Sequence, residues 1–429
     1  MIRRVLPAAV AAALAVTLLT AGAAAPEPTP DPIRAAEYWL EDYGVTEAWK
    51  TTRGAGTTIA IIDTGIARDP EEFAGAVAGG ADFSGVGASD GRSPVGAVDA
   101  NHGSWVASLA AARGTGEDTG MIGVAPAAKL LSLSVGFGAT SSVPFVDQVA
   151  EAMHWAVDHG ADVINLSFTT NTLDWDRSWD DAFLYAYEHD VVVVVAAGNR
   201  GSGTDRVGAP ATIPGVLTVG GVDKTGKASV EASTQGITIG ISAPSEQLRG
   251  VSADGRVVSW NGTSGAAPIV AGIAALVRSA YPDLDAANVI NRIIRTATAV
   301  PNGSRALYGY GLIDAEAAVS ADVAAVTTNP MGDLKEWVRV NRRAEAGPQA
   351  TPTVTPVTVE ALPPAEGPTE RSSSLLPSAE TLRYGTVPLV GATLTAILVA
   401  LGVTAAARRV RSARNSARAE PLNQGAPPQ

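Results

Sequence analysis

Extended runs and helical patterns alternate along the middle of this chain, and that alternation limits the fold more than any other feature. Residues 57–62, Thr-Thr-Ile-Ala-Ile-Ile, form a β-branched run that ends in Asp63. Residues 129–135, 162–167, 191–196, 216–220 and 237–241 repeat the extended pattern, and helical spacing of apolar residues separates them at 143–158 and 180–188, then returns at 285–298 and 314–323. Parallel strands need long crossovers, so strands alternating with helices of this length imply β-α-β units. The expected fold class is α/β, with a doubly wound, mostly parallel sheet. Runs that are apolar throughout, without period-two alternation, predict strands covered on both faces. In such sheets the chemistry gathers at the carboxyl ends of the strands.

Acyl transfer by a serine needs a hydroxyl, a neutral imidazole, a carboxylate that fixes the imidazole tautomer, and donors for the developing oxyanion. Ser264 stands in Asn261-Gly262-Thr263-Ser264-Gly265-Ala266-Ala267-Pro268, where a Gly/Thr turn gives way to a helical pattern with Ile269, Val270, Ile273, Leu276 and Val277 on one face. A serine at a helix start is also a common cap. Pro268 suits the first turn, where a missing N–H removes little. Of the four histidines, His102 alone opens a helix amid glycine and small residues; His154 lies mid-helix, and His159 and His189 sit among acids at helix ends. Asp63 ends the first strand, and Asn199 follows the 191–196 run through Ala197-Gly198, so both emerge at the same sheet edge. A packed core histidine, a turn-forming aspartate and a turn asparagine are the plainer alternatives for these three. The string Gly87-Ala88-Ser89-Asp90-Gly91 matches a G-x-S-x-G elbow, but no strand precedes it and no helix follows, so it is set aside.

Together Asp63-Thr64-Gly65, His102-Gly103-Ser104-Trp105-Val106-Ala107, Ala196-Ala197-Gly198-Asn199 and Gly262-Thr263-Ser264-Gly265-Ala266-Ala267-Pro268 resemble the subtilisin-like serine protease family over roughly residues 45–319. The order Asp, His, Ser is that family's order. The resemblance implies a serine endopeptidase with Asp63, His102 and Ser264 as triad and Asn199 as oxyanion donor beside the Ser264 N–H. It also implies that Ser167 and its neighbours, with Leu133 to Gly136, form the strands between which a polypeptide substrate lies. Two departures stand out: His102-Gly103-Ser104 replaces His-Gly-Thr, and Ser167-Phe168-Thr169 replaces the common Ser-Leu-Gly.

The ends of the chain carry a second set of expectations. Residues 1–25 begin with Arg3 and Arg4, continue through an apolar run and end in Ala23-Ala24-Ala25, the layout of a cleaved secretory signal. Residues 26–44 form a short N-terminal extension, so activation by loss of a folded prodomain is not expected. The peptidase domain is expected over 45–325 and a linker over 326–386, with Pro, Thr, Ser and Glu prevailing from about residue 344. Residues 387–407 are uncharged and apolar, close to the ~20 residues that span a bilayer core. Arg408, Arg409, Arg411, Arg414 and Arg418 follow, which orients a retained single-pass span with a cytoplasmic tail, 408–429, and the body outside the cell membrane. Leu376-Pro377-Ser378-Ala379-Glu380 lacks the Thr-Gly of a sortase signal. Short extension, proline-rich linker and C-terminal span together resemble the mycosin branch, membrane-anchored proteases of type VII secretion.

The net charge of −12 argues against nucleic acid as a partner, and the absence of cysteine removes thiol catalysis and Cys-ligated zinc. No cofactor is expected; calcium at the acidic stretch 90–99 stays open beside a plain solvated loop. Two functional readings follow. One is a membrane-anchored endopeptidase that processes secreted proteins. The other is a structural subunit of a membrane secretion complex, with peptidase activity secondary.

Overall fold

The computed structural model describes residues 31–96, 100–137, 141, 143–342 and 387–417. The expected signal peptide, most of the linker and residues 418–429 lie outside them. Seven parallel strands form the central sheet: β1 (Thr58–Asp63), β2 (Val77–Asp82), β3 (Lys129–Ser134), β4 (Val163–Leu166), β5 (Val192–Ala196), β6 (Leu217–Val222) and β7 (Ile239–Pro244). Their order is β2-β3-β1-β4-β5-β6-β7, so the direction of winding changes at the β1–β4 junction. A crevice at the carboxyl ends is expected at such a switch. The described residues therefore carry the doubly wound α/β sheet that the alternation predicts.

Helices cover both faces. Ile59 and Ile61 of β1 face the layer of α1 (His102–Ala111) and α4 (Thr263–Ala280), while Ala60 and Ile62 face α2 (Phe145–Asp158) and α3 (Arg177–Glu188). Successive strand side chains point to opposite faces, so both sets are buried, each Ile contributing about 1.5–3 kcal/mol. Helix α4 differs from its expected one-sided pattern: from Gly265 to Arg278 every residue is buried, because it runs through the body with neighbours on all sides. By length and hydropathy it would pass for a membrane span, yet it is a core helix.

Three regions depart from the sequence reading. The glycine-rich stretch expected as surface loop contains β2, an edge strand in which Gly80 lies too close to the carbonyls of Asp90 and Ser132 to carry a Cβ. Residues 248–260 form an antiparallel hairpin of β8 (Leu248–Val251) and β9 (Val257–Trp260), hidden from periodicity by its four-residue strands. The linker boundary at 326 is too early. Helices α5 (Ala286–Arg295) and α6 (Ala315–Ser320) are followed by chain that stays packed, with Val326 N–H donating to Asn288 Oδ1 at 2.8 Å. Then α7 (Leu334–Asn341) buries Leu334 and packs Trp337 against Trp175 with the rings tilted by 35°, and Arg342 Nε donates to Asp180 at 2.7 Å. Four apolar side chains in an eight-residue helix, set in a polar stretch, were too few to read as a helix.

At the other end, Trp39 is fully buried, Leu40 is buried and Tyr38 Oη donates to Glu246 O at 2.8 Å, so this part of the short extension packs into the body. Separately, α8 (Val387–Ala417) is a single helix; its portion Leu389–Arg411 has a mean hydropathy of 2.1 and is long and apolar enough to cross a membrane.

Candidate active site

Strand register brings the candidate residues to one edge. Ile62 of β1 pairs with Leu166 of β4, so Asp63 and Ser167, one residue further on, leave adjacent strands side by side, about 5 Å apart. Asp63 is fully buried. Its Oδ1 accepts the Thr64 N–H at 2.7 Å, and its carboxylate lies 2.8 and 3.0 Å from His102 Nδ1. A carboxylate only accepts, so the proton is held on Nδ1 and the lone pair on Nε2. The imidazole is 21% exposed, which gives that nitrogen a route to substrate.

His102 is positioned by contacts that periodicity does not reveal. Thr64 Oγ1 donates to Ala100 O at 2.9 Å and accepts the Gly103 N–H at 2.8 Å, tying the turn after β1 to the start of α1. Gly103 has no room for a side chain: a Cβ would stand 2.6 Å from Gly65 O. Ser104, where a threonine is usual by resemblance, is buried and its hydroxyl accepts the Ala67 N–H at 2.9 Å. The missing methyl leaves this bond intact. Trp260 of β9 stands edge-on to the imidazole at 5.7 Å, with Trp105 at 6.4 Å, so the unforeseen hairpin supplies one wall.

Ser264 is the second residue of α4, and Ser167 holds it twice. Ser264 Oγ donates to Ser167 O at 2.9 Å, and Ser167 Oγ donates to Ser264 O at 2.8 Å. Pro268 sits deeper than expected, at the sixth position of α4. The N–H it lacks would have reached Ser264 O, and the Ser167 hydroxyl takes that place.

Asn199 is fixed by Thr263. Its Oδ1 accepts the Thr263 N–H at 2.8 Å and the Thr263 hydroxyl at 2.9 Å, while Thr263 Oγ1 accepts the Gly198 N–H at 3.0 Å. An N–H can only donate, so the carboxamide oxygen is set toward Thr263 and Nδ2 is left as the outward donor.

The expected substrate strands are divided. Gly136 N–H is taken by Gln148 Oε1 at 2.7 Å. Leu133 is a correction: it is fully buried and lies between β1 and β2, paired with Ile62 and Ala81, so its backbone is occupied by the sheet. Only residues past the end of β3 stand at the open edge. Among the described residues no three His, Asp or Glu side chains gather as metal ligands, and Asp90 of the acidic stretch pairs with Arg68; Asp99 lies outside the described residues. His154, His159 and His189 are all on α2 and α3 or their ends, with His154 Nε2 3.3 Å from Asp181.

Residues 54–311 match the family model described as the subtilase family. Mycosin-4 of Mycobacterium tuberculosis is 34% identical over 348 residues, covering 70% of this chain and 73% of that protein. Subtilisin DY of Bacillus licheniformis is 37% identical over 273 residues, 62% of this chain and 92% of its own length. The crystal structure of MycP1 from the ESX-1 type VII secretion system superposes with a TM-score of 0.58 at 30% identity, covering 68% of this chain and 88% of that one. The chain belongs to the subtilase family and is a subtilisin-like serine endopeptidase acting on polypeptide. Within that family it stands in the mycosin branch, to which Mycosin-4 and MycP1 belong.

Proposed function

We propose that Asp63, His102 and Ser264 are the catalytic triad and that Asn199 Nδ2 and the Ser264 N–H bind the oxyanion. Ser264 Oγ turns from Ser167 O and adds to the peptide carbonyl carbon, and its proton passes to His102 Nε2. Collapse of the tetrahedral adduct breaks the C–N bond, and His102 returns the proton to the leaving amine. Water then repeats the two steps on the acyl-enzyme, releasing a carboxylic acid and restoring the serine. The reading rests above all on the 2.8 Å contact between His102 Nδ1 and a fully buried Asp63. That carboxylate stabilises the imidazolium formed during proton transfer.

The enzyme acts outside the cytoplasm, anchored by α8, whose arginines 408, 409 and 411 follow the apolar run. Its substrates are secreted polypeptides, and its setting is a type VII secretion system; the names of MycP1 and its like support this. A fluorophosphonate probe on the full-length protein tests the chemistry: labelling is expected, and its persistence in Ser264→Ala refutes the assignment. Extraction of cell membranes at alkaline pH tests the anchor, since a protein released to the supernatant is not spanning. Secretion compared between Ser264→Ala and a deletion strain separates peptidase from structural roles.

A further inference from the structure

The segment that replaces Ser-Leu-Gly has a consequence for substrate choice. An acyl carbon bound at Ser264 Oγ, with its oxygen toward Asn199 Nδ2, lies over the gap between two strand exits, residues 167–169 after β4 and 197–199 after β5. These strands are neighbours, Leu166 pairing with Val195, so the gap is one strand spacing wide. The side chain of the residue that donates the acyl carbonyl must enter it. The space beside Gly198 is occupied: a Cβ there would stand 2.6 Å from Thr204 Cγ2 and 2.7 Å from Thr169 Cγ2.

Thr169 cannot easily swing away. Its Oγ1 donates to Gly208 O at 3.1 Å and Thr170 O at 3.2 Å, and the next residue is pinned by Thr170 N–H to Ala209 O at 2.7 Å. With the hydroxyl held on that side, the methyl is aimed at Gly198. Thr204 behind it is buried, and its N–H donates to Asn199 O at 3.0 Å.

We infer that Thr169, backed by Thr204, closes the crevice beside Asn199 and restricts the acyl-side residue of the scissile bond to one no larger than alanine or serine. This rests on the reading of Ser264 and Asn199 as the reaction centre. A bulky side chain at that position lifts its carbonyl away from both groups, so the selection appears in kcat/KM for the acylation step.

The test uses the full-length enzyme in detergent with two fluorogenic peptides that differ only in alanine or phenylalanine before the scissile bond. Fluorophosphonate labelling reads the reaction centre independently, because that probe carries no such side chain. The wild type is expected to label and to prefer alanine by at least about tenfold in kcat/KM. Thr169→Gly should raise the phenylalanine-to-alanine ratio by about tenfold or more. Thr169→Ser, which keeps the hydroxyl and removes only the methyl, should raise it less and guards against a misfolded glycine variant. A wild type that labels yet cleaves both peptides equally overturns the inference and leaves the triad reading intact. The same is true of an unchanged ratio in both Thr169 variants. A wild type that fails to label overturns both.

Discussion

Ser167 and Ser264 hold each other through two hydrogen bonds that run in opposite directions, hydroxyl to carbonyl each way, at 2.9 and 2.8 Å. One bond exists because of Pro268, which leaves Ser264 O without its helical partner. Ser167→Ala should therefore strand a partly buried carbonyl and cost about 1–3 kcal/mol of unfolding free energy. In a Pro268→Ala background, where an N–H is restored to that carbonyl, the same change should cost markedly less. Denaturant titration of the four proteins in this cycle measures the coupling, and additive effects would contradict the compensation.

Thr263 and Asn199 make the matching pair on the oxyanion side. Asn199→Ala is expected to lower kcat about 10²–10³-fold with KM little changed, as for loss of one oxyanion donor. Thr263→Val removes both hydroxyl bonds and leaves the carboxamide held by the backbone N–H alone, so a smaller fall in kcat at similar KM is expected. Steady-state kinetics on one peptide distinguishes the two; a change confined to KM in either variant would argue for a binding role alone.

Gly103→Ala tests how α1 is docked. The added methyl would meet Gly65 O at 2.6 Å, and backbone atoms on both sides leave little room to yield. The start of α1 should move off the β1 turn and take His102 from Asp63. Activity should fall by at least about tenfold, a 1 Å misplacement being enough for larger losses. Retained near-wild-type kcat/KM would show that the close approach is not needed.

Glu37 predicts a pH dependence. Burial pushes its carboxyl from 4.5 up to about 8, against the opposing Ile122 N–H, which donates to Oε1 at 3.0 Å. Oε2 is buried without a hydrogen-bond partner. A pKa raised by folding means the folded state binds its proton more tightly than the unfolded chain. The stabilisation is thus complete below pH about 4.5, and it declines as pH rises toward about 8. Glu37→Gln should flatten this slope and raise Tm at pH 8 relative to the wild type. Thermal melts across that range provide the measurement, and parallel curves for both proteins would rule the group out.

The parallel sheet and the chain positions of Asp63, His102, Asn199 and Ser264 were legible because Asp63 and Asn199 follow the end of an extended run, while His102 and Ser264 stand where a helical run begins. The edge strand β2 and hairpin β8–β9 were not, since glycine-rich or four-residue strands leave too little pattern for period-two reading. The helix at 334–341 was missed for a related reason: it is only eight residues long, and apolar and polar side chains share it equally.

By itself the sequence determined the longer periodic strands and helices, because local periodicity decides which side chains can be buried together. It also carried the order of the motifs at the strand ends. Only the tertiary structure decided that Asp63 and Ser167 leave neighbouring strands, that Thr64 and Thr263 orient the imidazole and the carboxamide, and that the methyls of Thr169 and Thr204 converge on Gly198. Apart from Thr204 with Gly198, those relationships join residues from about 30 to 100 positions apart. They depend on strand register and on close packing to within a few tenths of an ångström, which no local pattern encodes.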